Sequence, residues 1–254
     1  MTASIKRTLV RDGLDSGWHE IRQDEIDAIR GPAVILGDPG LGKTELAKWL
    51  GERPGMRHVP AGKFERHADP GSLINPGERI VIDGLDEVAS AEPGGAVDAV
   101  LRQLSRAGNP TFILTCREAD WQGAAARAKI EQDYATDPIL LRLQPFSAND
   151  TYGFLSQEFP EINADELLDH LMEHGIWDLS GNPLTLRMLG EVARRTGRLP
   201  DSRTDLFDRA CRVMLEERNQ LHKGDPHARR AEDELLLAAG AICAAQLICD
   251  RAGV

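Results

Sequence analysis

Short apolar runs alternate with segments of helical spacing over the first two thirds of the chain. Between two of these runs, Val97, Val100 and Leu104 recur at the spacing of one helix face, and Gly108 and Pro110 would end that helix. Such alternation is typical of a parallel sheet covered by helices on both faces, so the sequence predicts an α/β fold. The predicted strands are residues 33–37, 58–64, 79–85, 111–117 and 139–146.

From about residue 147 onward the pattern changes to helices alone. Pro183 follows Asn182, and proline is favoured at the first position of a helix because an N–H there would have no partner within the helix. We therefore predict a helix from Pro183 through Val192. Three further helix starts are indicated by a capping side chain with an acid three residues later: Ser147 with Asp150, Asn163 with Glu166, and Ser202 with Asp205.

The change of pattern predicts a boundary between a core domain over residues 1–147 and a small all-helical domain over residues 148–222. A further helical region would start over residues 223–254. Residues 235–249 within it are apolar on every side, so we expect other structure to enclose this last helix. We therefore expect the chain to be part of a longer protein.

The composition is typical of a globular chain, with 41% hydrophobic and 28% charged residues among 254. Acidic residues outnumber basic ones by 41 to 30, a formal charge of -11 that disfavours binding to nucleic-acid phosphates. Four cysteines without CxxC spacing argue against a disulfide framework or a cysteine zinc site. The sequence contains no apolar run long enough to span a membrane and none that follows its amino terminus as in a secretory signal. We therefore expect a cytoplasmic protein without a membrane partner.

Directly after the first predicted strand, residues 37–44 read GDPGLGKT, which fits the phosphate-binding pattern GxxxxGK[ST] in its strand, loop and helix context. Its glycines allow successive backbone N–H groups to point at a phosphate, beside the positive end of the following helix. Lys43 would contact the β- and γ-phosphates, and the Thr44 hydroxyl would bind Mg²⁺. The predicted nucleotide-binding residues of this loop are Gly37, Asp38, Pro39, Gly40, Leu41, Gly42, Lys43, Thr44 and Glu45.

A second acidic motif follows in RIVIDGLDE, residues 79–87. Asp83 ends the third predicted strand, the position from which a P-loop protein holds the metal of its nucleotide, so Thr44 and Asp83 are the predicted metal ligands. Asp86 and Glu87 lie three and four residues later, and either carboxylate could orient and deprotonate the attacking water. The alternative for these two is structural, because an acid that opens a helix can act as its cap or remain solvated.

The fourth predicted strand ends in Arg117. Carboxyl ends of parallel strands meet at one edge of an open sheet, where ligands of such folds bind, so Arg117 is expected near Lys43 and Asp83. There it would contact the γ-phosphate or respond to its loss. An arginine at a strand end is also commonly a surface ion-pair partner, here of an acid such as Glu118. The predicted catalytic residues are Lys43, Asp86, Glu87 and Arg117.

The two motifs, the TCR that ends the fourth strand and GNPLTL at residues 181–186 together resemble the NACHT branch of the STAND nucleotide-switch ATPases. The resemblance implies a five-stranded parallel P-loop sheet of the ASCE type, followed by a small helical domain. It also implies ATP or ADP, with ATP preferred over GTP, and Mg²⁺ as cofactors. In this family the arginine after the fourth strand senses the γ-phosphate, which corresponds to Arg117. The proline of the family's GxP motif packs against the base, which corresponds to Pro183.

The function implied by the resemblance is slow, Mg-dependent hydrolysis in a conformational switch of a signalling or anti-phage defence protein. ADP would hold the resting state and ATP would permit self-association, with effector and sensor regions in the full-length protein. The chain departs from the family because the stretch after residue 220 is too short for the usual winged-helix domain. Two alternatives stay open: a remodelling motor of the AAA+ type, against which Gly84 counts because that class has a glutamate after the metal-binding acid, and a nucleotide-bound scaffold without hydrolysis.

Residues 170–174 read HLMEH, a zinc-binding pattern in which His170 and His174 lie one helical turn apart. The sequence defines no third ligand, and a histidine near the carboxyl end of a helix is favourable by itself. We therefore interpret the two histidines as structural.

Overall fold

A computed structural model of the chain describes residues 5–12, 18–85, 88, 95–121, 123–221, 234, 236–238 and 240–241. Their contacts divide the chain into two compact units. The first unit comprises Met1–Asp150 together with Gly181–Leu184, and the second unit comprises Thr151–Ser180 and Thr185–Val254. The helical region expected over 223–254, with its apolar helix at 235–249, lies almost entirely outside the described residues.

One sheet of seven strands forms the centre of the first unit. The strands are β1 (Thr8–Asp12), β2 (Trp18–Arg22), β3 (Ala33–Leu36), β4 (Met56–Pro60), β5 (Arg79–Asp83), β6 (Phe112–Cys116) and β7 (Ile139–Leu143). They are arranged in the order β2-β1-β7-β3-β6-β5-β4. Neighbours from β7 to β4 are parallel, whereas β1 pairs antiparallel with both β2 and β7, so the sheet is mixed.

The expectation of a five-stranded parallel sheet was therefore incomplete. Its five strands correspond to β3 to β7, and the hairpin of β1 and β2 was missed. Both hairpin strands are five residues long and mix apolar with charged residues, and β1 is held by backbone pairing with β7 rather than by a long apolar run. The second predicted strand, 58–64, was wrong in its second half, because β4 ends at Pro60 and a helix begins at Ala61.

Helices surround the sheet in the first unit and make up the regular structure of the second unit, as far as its residues are described. The first unit contains α1 (Lys43–Gly51), α2 (Ala61–Arg66), α3 (Gly95–Arg106) and α4 (Gly123–Tyr134). The second unit contains most of α5 (Ala148–Glu158) and α7 (Pro183–Thr196), together with α6 (Ala164–Glu173) and α8 (Arg203–Leu221). Within the described part of the chain, every helix is too short or too polar to span a membrane.

Alternate residues of the central strands face two separate cores, as is typical of strands buried on both sides. In β3, Val34 and Leu36 pack in a core with residues of α2, α3 and α4, whereas Ala33 and Ile35 pack in a second core with residues of α1. All four side chains are essentially inaccessible to solvent. Burial on both faces explains why these strands read as continuous apolar runs in the sequence.

The predicted helix starts are confirmed. α7 begins at Pro183, and the Asn182 side-chain oxygen accepts a hydrogen bond from the Leu184 amide at 2.9 Å. Each cap satisfies an amide that has no partner within its helix, which is why the spacing can be recognised from sequence. The other caps are Ser147 with Asp150 for α5, Asn163 with Glu166 for α6, and Ser202 with Asp205 for α8.

Candidate functional site

The loop of the GDPGLGKT motif joins β3, which ends at Leu36, to α1, which begins at Lys43. Gly40 and Gly42 have φ angles of 82° and 89°, in the left-handed region that side chains with a Cβ disfavour. The two glycines therefore set the path of residues 37–42. This is the strand, loop and helix context that the motif requires.

The Lys43 ammonium lies over the loop that precedes it. Its Nζ donates hydrogen bonds to the backbone oxygens of Gly37 at 2.6 Å and Asp38 at 2.9 Å. A Cβ at Gly37 would lie 3.3 Å from the Leu143 Cβ, so this position is crowded by β7 rather than conformationally strained. The arrangement brings a positive charge to the centre of the loop.

The first turn of α1, directly after the loop, offers backbone N–H groups at the amino-terminal end of the helix. Gly42 occupies the N-cap position and has no side chain with which to cap them. Thr44 and Glu45 are exposed in this turn, so the Thr44 hydroxyl is accessible to solvent. The first amides of a helix carry a partial positive charge and lack intrahelical partners, which is the setting in which proteins bind phosphate.

Arg7 is hydrogen-bonded to the loop, a contact that the sequence did not predict. Its guanidinium is buried and donates to the backbone oxygens of Leu41 at 2.7 Å and Gln144 at 2.6 Å. The same group lies 4.5 Å from the centre of the Phe146 ring. Burial lowers the pKa of Arg7 to about 10, and the charge of Asp150 acts in the opposite direction. Nothing in the sequence distinguishes Arg7 from a solvated residue of a basic amino terminus.

Residues 181–184, which belong to the first unit, also contact the loop. The Asn182 side chain donates to the Pro39 carbonyl at 2.9 Å, and the Leu184 amide lies 3.3 Å from the Gly40 carbonyl oxygen. A Cβ at Gly40 would approach the Asn182 side-chain oxygen to 2.6 Å, so glycine is required there for space as well as for conformation. Pro183, which the resemblance assigns to the nucleotide base, is thereby brought beside the loop.

Asp83 is the last residue of β5 and is only 6% exposed. The Thr115 hydroxyl in β6 donates a hydrogen bond to one of its carboxylate oxygens. Because β3, β6 and β5 are adjacent and parallel, the end of β5 lies at the same edge of the sheet as the loop that follows β3. Arg117 comes directly after β6 and is partly buried at this edge.

The structure thus places Asp83 and Arg117 at the carboxyl ends of β5 and β6 and Lys43 after the loop that follows β3, and these three strands are neighbours in the sheet. Asp86 and Glu87, the two predicted candidates for positioning water, lie outside the described residues. Their catalytic and structural interpretations both stay open.

The oxygen donors at this edge are of the kind that Mg²⁺ binds. Asp83 receives one hydrogen bond from Thr115, and a carboxylate offers about four lone-pair positions, so it retains capacity for a further partner. The Thr44 hydroxyl is exposed at the first turn of α1. These residues therefore fit a Mg²⁺ ion brought by a nucleotide.

No protein-family model matches the chain, and no curated protein matches it. Among solved structures, the chain is similar to a STAND protein with a tetratricopeptide repeat sensor from Pyrococcus horikoshii, at 17% identity and a TM-score of 0.45. That likeness covers 75% of this chain but only 31% of the Pyrococcus horikoshii chain.

The chain is also similar to a Walker-type ATPase of Pyrococcus abyssi, at 14% identity and a TM-score of 0.43, covering 81% of this chain and 75% of that one. A third similar structure is domain III of the replication initiation protein DnaA from Thermotoga maritima, at 14% identity and a TM-score of 0.44, covering 76% and 88%.

Proposed function

We propose that the chain binds a nucleoside triphosphate with Mg²⁺ and hydrolyses it slowly, as the nucleotide switch of a larger protein. The observation that carries the proposal is the loop between β3 and α1, in which the Lys43 ammonium and the first amides of α1 are presented at the sheet edge that also bears Asp83. Positive charge and the amides at a helix N-terminus suit a phosphate chain, and hard oxygen ligands suit its Mg²⁺.

Each residue has a distinct role in this proposal. Backbone amides of residues 40–44 and Lys43 bind the phosphates, and Thr44 and Asp83 hold the metal. Bound Mg²⁺ would supply charge neutralisation for phosphoryl transfer. Arg117 contacts the γ-phosphate, and either Asp86 or Glu87 orients the water.

The switching role follows from the charge of one phosphate. A ligand shifts a two-state equilibrium only by its difference in affinity for the two states, and a few kcal/mol are needed to reverse a population. Hydrogen bonds from the charged Lys43 and Arg117 side chains to the γ-phosphate are stronger than bonds between neutral groups, so they can provide such a difference in affinity between ATP and ADP. We further propose ATP as the preferred nucleotide, self-association in the ATP state, and control by effector and sensor regions of the full-length signalling or defence protein.

The test begins with purified protein denatured to release and identify any bound nucleotide. ATP and GTP binding and turnover with Mg²⁺ are then measured for the wild type, Lys43→Ala and Lys63→Ala, which removes an exposed lysine of α2. We expect Lys43→Ala to weaken binding at least about tenfold and to abolish turnover, because a charge-assisted contact to phosphate is lost. Lys63→Ala should behave as the wild type.

Two results would change the assignment. A wild-type protein that binds neither ATP nor GTP with Mg²⁺ would remove it altogether. Copurified ADP without measurable turnover would instead favour the nucleotide-bound scaffold.

A further inference from the structure

Two histidines and an aspartate come together in the second unit, and none of them has a role in the proposed function. His170 lies in the last turn of α6 and His174 at its carboxyl-terminal cap, and Asp201 lies in the loop before α8. One potential ligand atom from each residue lies within 4.8 Å of the other two. The third ligand that the HLMEH motif leaves undefined in the sequence is therefore provided by the fold.

His174 is held with one ring nitrogen directed at this cluster. Its Nδ1 lies 3.0 Å from the His170 carbonyl oxygen, and a carbonyl oxygen only accepts, so Nδ1 carries the proton. The lone pair of the neutral ring is then on Nε2, which lies 3.7 Å from an Asp201 carboxylate oxygen. A ring N–H bonded to a backbone carbonyl, with the other nitrogen available, is the arrangement found for histidine ligands of metals.

His170 has the opposite tautomer. Its Nε2 lies 2.9 Å from the Pro200 carbonyl oxygen and 3.8 Å from the same Asp201 oxygen, so Nε2 carries the ring proton. To bind a metal ion through Nε2, His170 would change tautomer, with its ring proton moving to Nδ1 by exchange with solvent and the Nε2 lone pair freed for the ion. The two imidazole rings are already stacked with their centres 4.0 Å apart, on adjacent turns of one helix.

The distances from Asp201 to the two histidines are close to those between ligands of a tetrahedral metal site. Zinc bonds to nitrogen and oxygen are about 2.0–2.1 Å long, which places the ligand atoms about 3.3–3.4 Å apart. The distances of 3.7 and 3.8 Å from Asp201 to the two histidines need to shorten by only a few tenths of an ångström. The Asp201 side chain is 72% exposed and can make this adjustment at the surface.

We propose that His170, His174 and Asp201 bind a divalent transition metal of the zinc class, with water as the fourth ligand. Two imidazoles and one carboxylate favour Zn²⁺ over Mg²⁺ or Ca²⁺, which prefer sites built from oxygen alone. The ion would join the end of α6 to the loop before α8, and His170 Nε2 would exchange its hydrogen bond to the Pro200 carbonyl for the bond to the metal. The ion would bind within the second unit, and its binding would not require nucleotide.

Zinc binding to the full chain, stripped with a chelator and free of nucleotide, tests the proposal. We expect one equivalent of Zn²⁺ to bind and to raise the melting temperature, because a ligand that binds only the folded state stabilises it. Mg²⁺ at the same concentration should have no such effect. His174→Gln and Asp201→Asn should each weaken Zn²⁺ binding at least about tenfold and remove the rise in melting temperature, while melting as the wild type without metal.

His67→Gln is the matched control. His67 Nδ1 also lies near a backbone oxygen, that of Asp69 at 2.7 Å, but His67 is outside the cluster, so this variant should bind zinc as the wild type does. X-ray absorption of the zinc-loaded wild type should show two imidazole ligands and no sulfur, a readout that does not depend on variants that fold. Failure to bind stoichiometric zinc, a sulfur ligand, or unchanged binding in both ligand variants would each overturn the proposal.

Discussion

The contacts of Arg7 cannot be predicted from the sequence, because they join it to residues 34 and 137 positions away. Four groups interact with its guanidinium: the carbonyls of Leu41 in the GDPGLGKT loop and of Gln144 after β7, the Phe146 ring, and the charge of Asp150. A guanidinium can bridge both carbonyls because its donors form a rigid planar fork. The glycines of the loop, in contrast, are evident from the motif alone.

We predict that Arg7→Met destabilises the protein and weakens nucleotide binding. Loss of the guanidinium leaves the Leu41 and Gln144 carbonyls without a donor, at a cost of about 1–3 kcal/mol for each that stays buried. The stability and nucleotide affinity of Arg7→Lys should lie between those of Arg7→Met and the wild type, because an ammonium cannot reproduce the planar fork of donors of a guanidinium. Chemical denaturation and nucleotide titration measure the two effects.

Arg11→Met, in the neighbouring strand β1, serves as the control for a general effect of removing an arginine near the hairpin. An Arg7→Met variant with unchanged nucleotide affinity would show that the Leu41 contact does not support the binding loop.

Helix packing in the first unit combines elements that the sequence predicts with contacts that it does not. The amphipathic spacing from Val97 to Leu104 predicted α3, which runs over Gly95–Arg106. The polar pair that joins α3 to α4 is different, because Ser105 and Asp133 are 28 residues apart and meet only when both helices pack on the sheet. Their hydrogen bond is 2.6 Å long.

We predict that Ser105→Ala lowers the free energy of unfolding by about 1 kcal/mol at neutral pH, the usual size for one hydrogen bond. The Ser105 hydroxyl is the main cause that lowers the pKa of Asp133, and Lys129 adds to it while burial opposes both. A carboxyl group with a lowered pKa in the folded state stabilises the fold above its unfolded pKa of about 3.9, and this contribution is lost as the pH falls through the lower folded value.

The difference in free energy of unfolding between Ser105→Ala and the wild type should therefore be largest at neutral pH and become smaller in acid below about pH 4. Urea denaturation across this range measures it, with Ser105→Ala in an Asp133→Asn background as the control, where the pH dependence should vanish. A difference that stays constant into acid would mean that the hydroxyl does not act through the Asp133 carboxylate.

At the scale of the whole molecule, the chain leaves the first unit after Asp150 and returns to it for only four residues, Gly181–Leu184. This return places the Asn182 side chain against the Pro39 carbonyl while its oxygen caps α7. One side chain thus contacts the GDPGLGKT loop and caps a helix, although 143 residues separate it from Pro39.

We predict that Asn182→Ala weakens nucleotide binding and lowers the free energy of unfolding by about 1 kcal/mol, the usual effect of a lost helix cap. Asn182→Asp keeps an acceptor for the Leu184 amide but loses the donor to Pro39, so it should weaken binding with less loss of stability. Nucleotide titration and chemical denaturation distinguish the two effects.

Asn163→Ala is the matched control, because the Asn163 side chain caps α6 in the second unit through the Asp165 and Glu166 amides. It should lose a similar amount of stability and bind nucleotide as the wild type does. Equal nucleotide affinity in the wild type and Asn182→Ala would contradict a role for this segment at the site.

The sequence by itself determined the features that depend on neighbouring residues: the apolar strands β3, β5, β6 and β7, the capped helix starts, and the glycines and lysine of the GDPGLGKT loop. Each of these is encoded within a few positions by burial, capping or permitted φ angles. Tertiary structure alone decided the hairpin of β1 and β2, the brace of Arg7, the contact of Asn182 with Pro39 and the cluster of His170, His174 and Asp201. These depend on groups far apart in the chain, whose meeting is set by strand order and chain return rather than by any local pattern.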